Sequence, residues 1–368
     1  MKSFVRHIYF LLMTGLIFTG CEKDSVLIEV VQSNMENPNN MLINFSNGMI
    51  DNPVGTRSVV SMLSDHNQTM GVWGWQYTPD VDTTRLFNNH IISYDATTTD
   101  WTYNPVKYWN RTSTYKFFAY APHNSSVQNV SVTIDSVTHR IGINGITLSG
   151  CNNVPANGTY IPGNFSNVSD TDWLIDRAGQ ESTGITKGKV TFIMQHILSK
   201  INVRVFRDES VADDQVVPVV VDSIMIGDFV CQGNFSQALM QNPLVETQTD
   251  IDEKISEWTL VDTLPRYTLN GIKGVTIPNH STTYLIESLL IPQAVQGQTV
   301  QIWYTVGRDG EQKSHNYATT TLDTLFDRFV SGNSYVVNIV LNKSADLIRF
   351  DSGVTEWDSK AAYRIIEI

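Results

Sequence analysis

Cysteine is scarce in this 368-residue chain, with Cys21, Cys151 and Cys231 making the whole complement. No two form a Cys-x-x-Cys, and the eight histidines are far apart without a His-Glu-x-x-His, so no zinc motif is present. Positive charge is also short. The net charge is −12 and there is no basic stripe, which argues against nucleic acid as a partner. There is no phosphate loop, no dinucleotide glycine signature and no Gly-x-Ser-x-Gly elbow, and the carboxylates are scattered. Asp80/Asp82 and Asp170/Asp172 have calcium-like spacing but lack the ordered ligand set of a calcium loop, so they read as solvated turns. These absences leave no catalytic residue, no metal site and no cofactor, and the chain reads as a non-enzyme.

Long apolar runs are missing apart from one. Tyr9 to Phe18 follows Lys2 and Arg6 and leads through Thr19-Gly20 into Cys21. The run is too short to span a bilayer stably, and the pattern is that of a lipoprotein signal peptide over residues 1–20. Cleavage would make Cys21 the first residue and its lipidation site, placing the rest outside the cytoplasm on a membrane anchor. Phe18 departs from the usual Leu. Without the leader about 348 residues remain, with a net charge of about −14, enough for two domains. Cys151 and Cys231 are compatible with one disulfide in an oxidising compartment, and equally with two separate buried thiols.

The rest of the chain reads as strands. Val130–Ile134, Val190–Ile193, Ile201–Phe206, Val217–Ile226, Tyr284–Ile291, Val300–Val306 and Tyr335–Leu341 are short runs rich in Val, Ile, Thr and aromatics, bounded by turn residues. Ser58–Leu63 and Thr321–Phe329 are the candidates for short helices. No fixed-period repeat is present. Many short strands and few helices predict an all-β protein of β-sandwich domains. The polar, Asn-rich stretch 21–40 reads as a tether, and Thr183 to Gly188 as a connector. The predicted domains are therefore 41–186 and 187–368.

Four motifs in order resemble the fimbrillin and fimbrillin-like lipoproteins of Bacteroidales. They are Tyr108-Trp109-Asn110 followed by the aromatic run Tyr115 to Pro122; Phe192 to Ile201 with His196-Ile197-Leu198-Ser199-Lys200; Leu289-Leu290-Ile291-Pro292-Gln293; and Phe329-Val330-Ser331-Gly332-Asn333-Ser334-Tyr335 with Trp357 beyond. Asn110 stands where the family usually has Pro, and Phe329 where it commonly has Trp. The resemblance covers about residues 41–357. Taken residue by residue, the same motifs are packing devices, and His196 reads as a hydrogen-bonded structural histidine.

The resemblance implies two tandem transthyretin-like β-sandwiches, a location at the outer membrane and in fimbriae, and head-to-tail polymerisation with other fimbrial subunits. Thr56-Arg57-Ser58 then marks the cut of an extracellular Arg-specific protease, between Arg57 and Ser58. A lone loop arginine is otherwise simply solvated. The cut would release Met41-Leu42-Ile43-Asn44-Phe45 and leave a groove of unpaired backbone groups, open to a neighbour's strand. Residues 361–368 are apolar and strand-like, with Tyr363, Ile365, Ile366 and Ile368, and read either as a last core strand or as that donor. Asp346–Phe350 is also strand-like.

Trp73, Trp75 and Tyr77 share one face of a strand at period two. They read as core aromatics, or as a sugar-stacking platform for a ligand on a host or bacterial surface. The platform supports an alternative, a monomeric surface lipoprotein that captures glycans. Asp135-Ser136-Val137, Asp222-Ser223-Ile224, Asp262-Thr263-Leu264 and Asp323-Thr324-Leu325 resemble bacterial O-glycosylation sites.

Overall fold

The computed structural model describes residues 42–50, 61–135, 140–148, 171–176, 180–183, 188–207, 216–238, 256–262, 266–271, 273–279, 282–342, 348–355 and 357. The described chain is all-β. Its first half holds β1 (Met49–Ile50), β2 (Ser61–Met62), β3 (Thr69–Tyr77), β4 (Thr84–Asp95), β5 (Asp100–Thr102), β6 (Thr114–Ala121), β7 (Ser131–Asp135), β8 (Arg140–Thr147), β9 (Leu174–Asp176), β10 (Gln180–Thr183) and β11 (Ile193–His196). Its second half holds β12 (Ser199–Arg207), β13 (Val219–Phe229), β14 (Gln232–Ala238), β15 (Ser256–Leu260), β16 (Tyr267–Asn270), β17 (Val275–Thr276), β18 (Thr283–Leu290), β19 (Thr299–Val306), β20 (Ser314–Thr321), β21 (Ser334–Leu341) and β22 (Ile348–Thr355).

Six of the seven strands expected from sequence are found with small shifts at their ends, whereas the one expected at Val190–Ile193 begins only at Ile193, with Val190 in an isolated bridge. The helices are not where periodicity placed them. Ser61 and Met62 are extended, and the one α-helix among the described residues, α1 (Leu63–His66), begins where the first prediction ends. Leu63 is fully buried, so packing fixes where the chain turns. Of Thr321–Phe329 only Leu322–Thr324 coils, as a single 3-10 turn, because Leu322, Phe326 and Phe329 all insert into one core.

The described residues form four sheets. The first runs β2-β1-β11-β9-β6-β3-β4-β5, with β10 also on β6. The second is β15-β14-β8-β7, the third β18-β12-β21-β22, and the fourth β16-β13-β19-β20 with β17 on β13. In the second sheet, β14 pairs with β8 from Gln232↔Thr147 to Ala238↔Arg140, so this sheet draws strands from both sides of residue 186. The third and fourth sheets share a core of Val, Ile and Leu with Phe229, Phe326, Phe329 and Tyr335.

Packing explains the motifs. In β12, Ile201, Val203 and Val205 enter that core, yet the alternating Lys200, Asn202 and Arg204 are buried too. A charged row survives burial only if it is paired. Lys200 Nζ lies 2.5 Å from Glu287 Oε1, Asn202 donates to Ser334 Oγ at 3.0 Å, and Arg204 donates to Asn338 Oδ1 at 2.6 Å. Ser199 Oγ donates to Val330 O, and Gly332 N donates to Leu198 O, tying the Leu-Ser-Lys motif to the Ser-Gly-Asn turn. Gly332 has φ 76°, the left-handed region where a Cβ is strained. Buried Gln293 donates to Val230 O and Ile291 O and accepts from Val230 N, while its own carbonyl accepts from Phe329 N.

A candidate functional site: the seam of the first sheet

Residues 42–50 lie in the wall of the first sheet. Phe45 bridges Val190 in the parallel sense and Trp101 in the antiparallel sense, and Leu42 bridges Tyr108. Four residues on, β1 continues the parallel pairing through Met49↔Ile193 and Ile50↔Met194. Trp101 belongs to β5, the far end of the sheet order, whereas Val190 leads into β11 near the other end. The segment thus joins the two ends and closes the sheet on itself.

Backbone hydrogen bonds fix both margins. Ile43 N donates to Lys107 O at 2.9 Å, Ser46 N to Val190 O at 2.9 Å, Val190 N to Asn44 O at 2.8 Å and Met49 N to Phe192 O at 3.0 Å. Side chains add to them. Tyr103 OH donates to Ile43 O at 2.6 Å, and burial raises the Tyr103 phenol above its ordinary value of 10.0, which keeps it a donor. Ser46 Oγ and Thr191 Oγ1 are 2.5 Å apart. Asn47 Oδ1 accepts from Ser64 N and from the Trp101 indole.

Below the segment is an aromatic pocket. Ile43 and Phe45 are 0% and 1% exposed. The Phe45 ring stands edge-on to Phe87, Tyr103 and Phe117, with centroids at 5.6, 5.6 and 6.1 Å, and stacks on Phe192 at 5.9 Å. The Trp109-to-Tyr120 motif supplies much of this floor, with Trp109 edge-on to Tyr115 at 4.7 Å. Gly74 is required there, because a Cβ would meet Phe87 at 2.7 Å and Phe117 at 2.9 Å. Lifting residues 42–50 away would leave the carbonyls of Lys107, Val190 and Phe192 and the amide of Val190 without partners, above an uncovered apolar floor. Chemically, that is an acceptor for one β-strand.

The sequence anticipated a strand at Met41–Phe45. The structure places isolated bridges at Leu42 and Phe45, buries Ile43 and Phe45, and carries the pairing on to Ile50, while Met41 lies outside the described residues. Nothing in the sequence pointed to Tyr103, Asn47 or Thr191 as its partners. Arg57 and Ser58 fall within 51–60, the span joining β1 to its antiparallel partner β2, and lie outside the described residues. So do Cys21, Cys151, Tyr363, Ile365, Ile366 and Ile368. Cys231 is buried.

Trp73, Trp75 and Tyr77 follow one another along β3 but do not form an open face. Trp73 is 3% exposed and packs on Tyr120 at 5.3 Å, in the cluster that also holds Phe235 of β14. Trp75 is half-buried with the Arg85 guanidinium 6.0 Å from its ring centroid, and only Tyr77, at 42%, is exposed. Stacking a sugar needs rings in water, so burial of Trp73 removes the platform on which the glycan alternative rested. His196 is buried, with Nδ1 3.0 Å from an oxygen of Asp172 and its ring stacked on Trp357 at 4.2 Å. Asp172 therefore serves a histidine in this fold.

The fimbrillin-like family model matches residues 56–357. The chain belongs to the fimbrillin-like family. A fimbrial protein from Bacteroides vulgatus has a similar fold, with a TM-score of 0.55 at 15% identity over 86% of this chain and 99% of that one. A candidate cell adhesion protein from Bacteroides uniformis aligns with a TM-score of 0.46 at 14% identity, covering 87% of this chain and all of its own. No curated protein matches the sequence. The four fimbrillin-like motifs lie in the floor of the seam and in the cores between the sheets.

Proposed function

We propose that this fimbrillin-like chain is a fimbrial subunit that polymerises by strand exchange at the seam. It is exported as a lipoprotein, acylated at Cys21 and displayed on the outer membrane as tandem transthyretin-like sandwiches. An extracellular Arg-specific protease cuts between Arg57 and Ser58, and the released piece carries residues 42–50 away. A neighbouring subunit then lays its 361–368 segment, with Tyr363, Ile365, Ile366 and Ile368, into the vacated slot. The observation that carries this reading is the position of Phe45, bridged on both margins and buried over an aromatic floor. Because the slot and the donor lie on different parts of the chain, the contact is head-to-tail and extends into a filament. Burying several apolar side chains at about 1.5–3 kcal/mol each makes dissociation slow.

The test is digestion of the purified chain with an Arg-specific protease. The reading expects a cut at Arg57, followed by a ladder of oligomers that survives mild SDS, and loss of the ladder when residues 361–368 are deleted. Chain cut at Arg57 that stays monomeric overturns it.

A further inference from the structure

We infer that the outer face of the fourth sheet is a binding platform for a neutral saccharide, centred on Trp303 and Tyr317. β19 and β20 pair without a break from Thr299↔Thr321 to Val306↔Ser314. Val300, Ile302 and Tyr304 of β19 enter the core, so the intervening residues face outward. That outer face carries the opposed pairs Gln301–Thr319, Trp303–Tyr317 and Thr305–His315. In a chain of net charge −12, none of these six is a carboxylate, a lysine or an arginine.

The two rings lie 5.1 Å apart at 44°, and Tyr317 is 52% exposed while Trp303 is half-buried. A cross-strand aromatic pair steadies a hairpin by about 0.2–1 kcal/mol. That accounts for the two rings meeting. It does not account for leaving a large apolar surface in water amid hydroxyl and amide groups, which is the composition that suits a sugar's C–H face and its hydroxyls.

The polar row beside the rings is already oriented. Thr305 Oγ1 donates to Asp222 Oδ2 at 2.6 Å. Its single proton is thus committed, so the 2.9 Å contact with His315 Nδ1 is a donation from the imidazole. In the neutral ring this leaves His315 Nε2 as an acceptor. The row sits about 7 Å along the strand from the ring pair, the scale of one hexose unit. A pyranose stacked on the rings can donate hydroxyls to His315 and Asp222 on one side and to Thr319 on the other, where Thr319 Oγ1 gives its own proton to Val300 O.

Size and charge select the occupant. Three cross-strand pairs span roughly 150 Å², far below the ~800 Å² per partner of a stable protein interface. An anionic sugar would meet the Asp222 carboxylate and the acidic surface. The fit is a short neutral oligosaccharide.

The test titrates the intact chain with cellohexaose, xylohexaose and mannohexaose, with a sialylated oligosaccharide as control, following tryptophan emission and calorimetry. At least one neutral hexamer should bind saturably. Trp303→Ala and Tyr317→Ala should each weaken binding at least about tenfold, while Tyr317→Phe, which keeps the ring, should stay within about threefold, as should Trp73→Phe. Should Trp303→Ala fail to fold, Tyr317→Ala on the edge strand carries the test. No binding by any neutral hexamer up to about 10 mM, unchanged binding in the Tyr317→Ala variant, or preference for the sialylated control overturns the proposal. Because the chain is uncut in this assay, the outcome is independent of strand exchange.

Discussion

Phe45 is the residue on which the seam depends. Its ring touches four other aromatic rings and has almost no exposure. Phe45→Ala should therefore cost about 3–5 kcal/mol, read as a lowered urea midpoint of the uncut chain with little change in slope. Ser46→Ala gives up the hydroxyl's contacts with Thr191 Oγ1 and Val190 O in the same segment and should cost about 1 kcal/mol. A second residue-scale effect concerns His123, which is nearly buried and accepts from Ser125 N while its other nitrogen contacts Asn89 O. Burial is the main cause that holds its pKa below the ordinary 6.5, helped by nearby His90 and opposed by the Asn89 carbonyl. The unfolded chain thus takes up a proton at higher pH than the folded one. Stability is unaffected by this group above pH 6.5 and falls as the pH drops below that value. His123→Asn should flatten that part of a thermal-midpoint-versus-pH curve.

At the scale of elements, the strand 42–50 is held by its margins as well as by its floor, and the two can be separated. Ser46 and Thr191 face each other across the parallel margin with their hydroxyl oxygens 2.5 Å apart, close enough for a disulfide in their place. The double substitution Ser46→Cys, Thr191→Cys should lock the strand in the sheet after cleavage at Arg57. No ladder should form on non-reducing gels, and dithiothreitol should restore it. A ladder under oxidising conditions, with the crosslink verified by mass spectrometry, would show that polymerisation does not need this strand to leave. The helices teach a similar lesson about elements. Periodicity proposed Ser58–Leu63, but the chain keeps Ser61–Met62 extended to pair with β1, and coils only once Leu63 is anchored.

For the whole molecule, the second sheet decides what can stand alone. β8 is flanked by β7 on one side and by β14 on the other, and β14 comes from beyond the expected boundary at 186. The same core takes Ile197, Leu198, Leu289, Ile291 and Trp357 from the later half. A fragment of residues 41–186 would lack two strands of that sheet and expose Trp73, Phe118 and Tyr120. It should show no cooperative thermal transition, whereas residues 41–357 should show one. A sharp transition in the short fragment would establish the first half as an independent unit.

The alternation of apolar and polar residues determined that this chain is made of strands, because a period of two leaves one face for burial whatever the partner is. Ile43-Asn44-Phe45 and Ile201 to Val205 show it directly. The motif residues were legible for the same reason, since buried rings and a paired Lys200 are costly to misplace. Only the tertiary structure decided which strand lies beside which. Sequence put Trp73, Trp75 and Tyr77 on one face, but the second sheet settled that Trp73 faces a core. Sequence marked Val190–Ile193 as one strand among several and singled out nothing in 101–107, and closure of the sheet made them the two margins of one slot. Strand neighbours are chosen by contacts between residues far apart in the chain, and the local pattern of a strand is the same beside any of them.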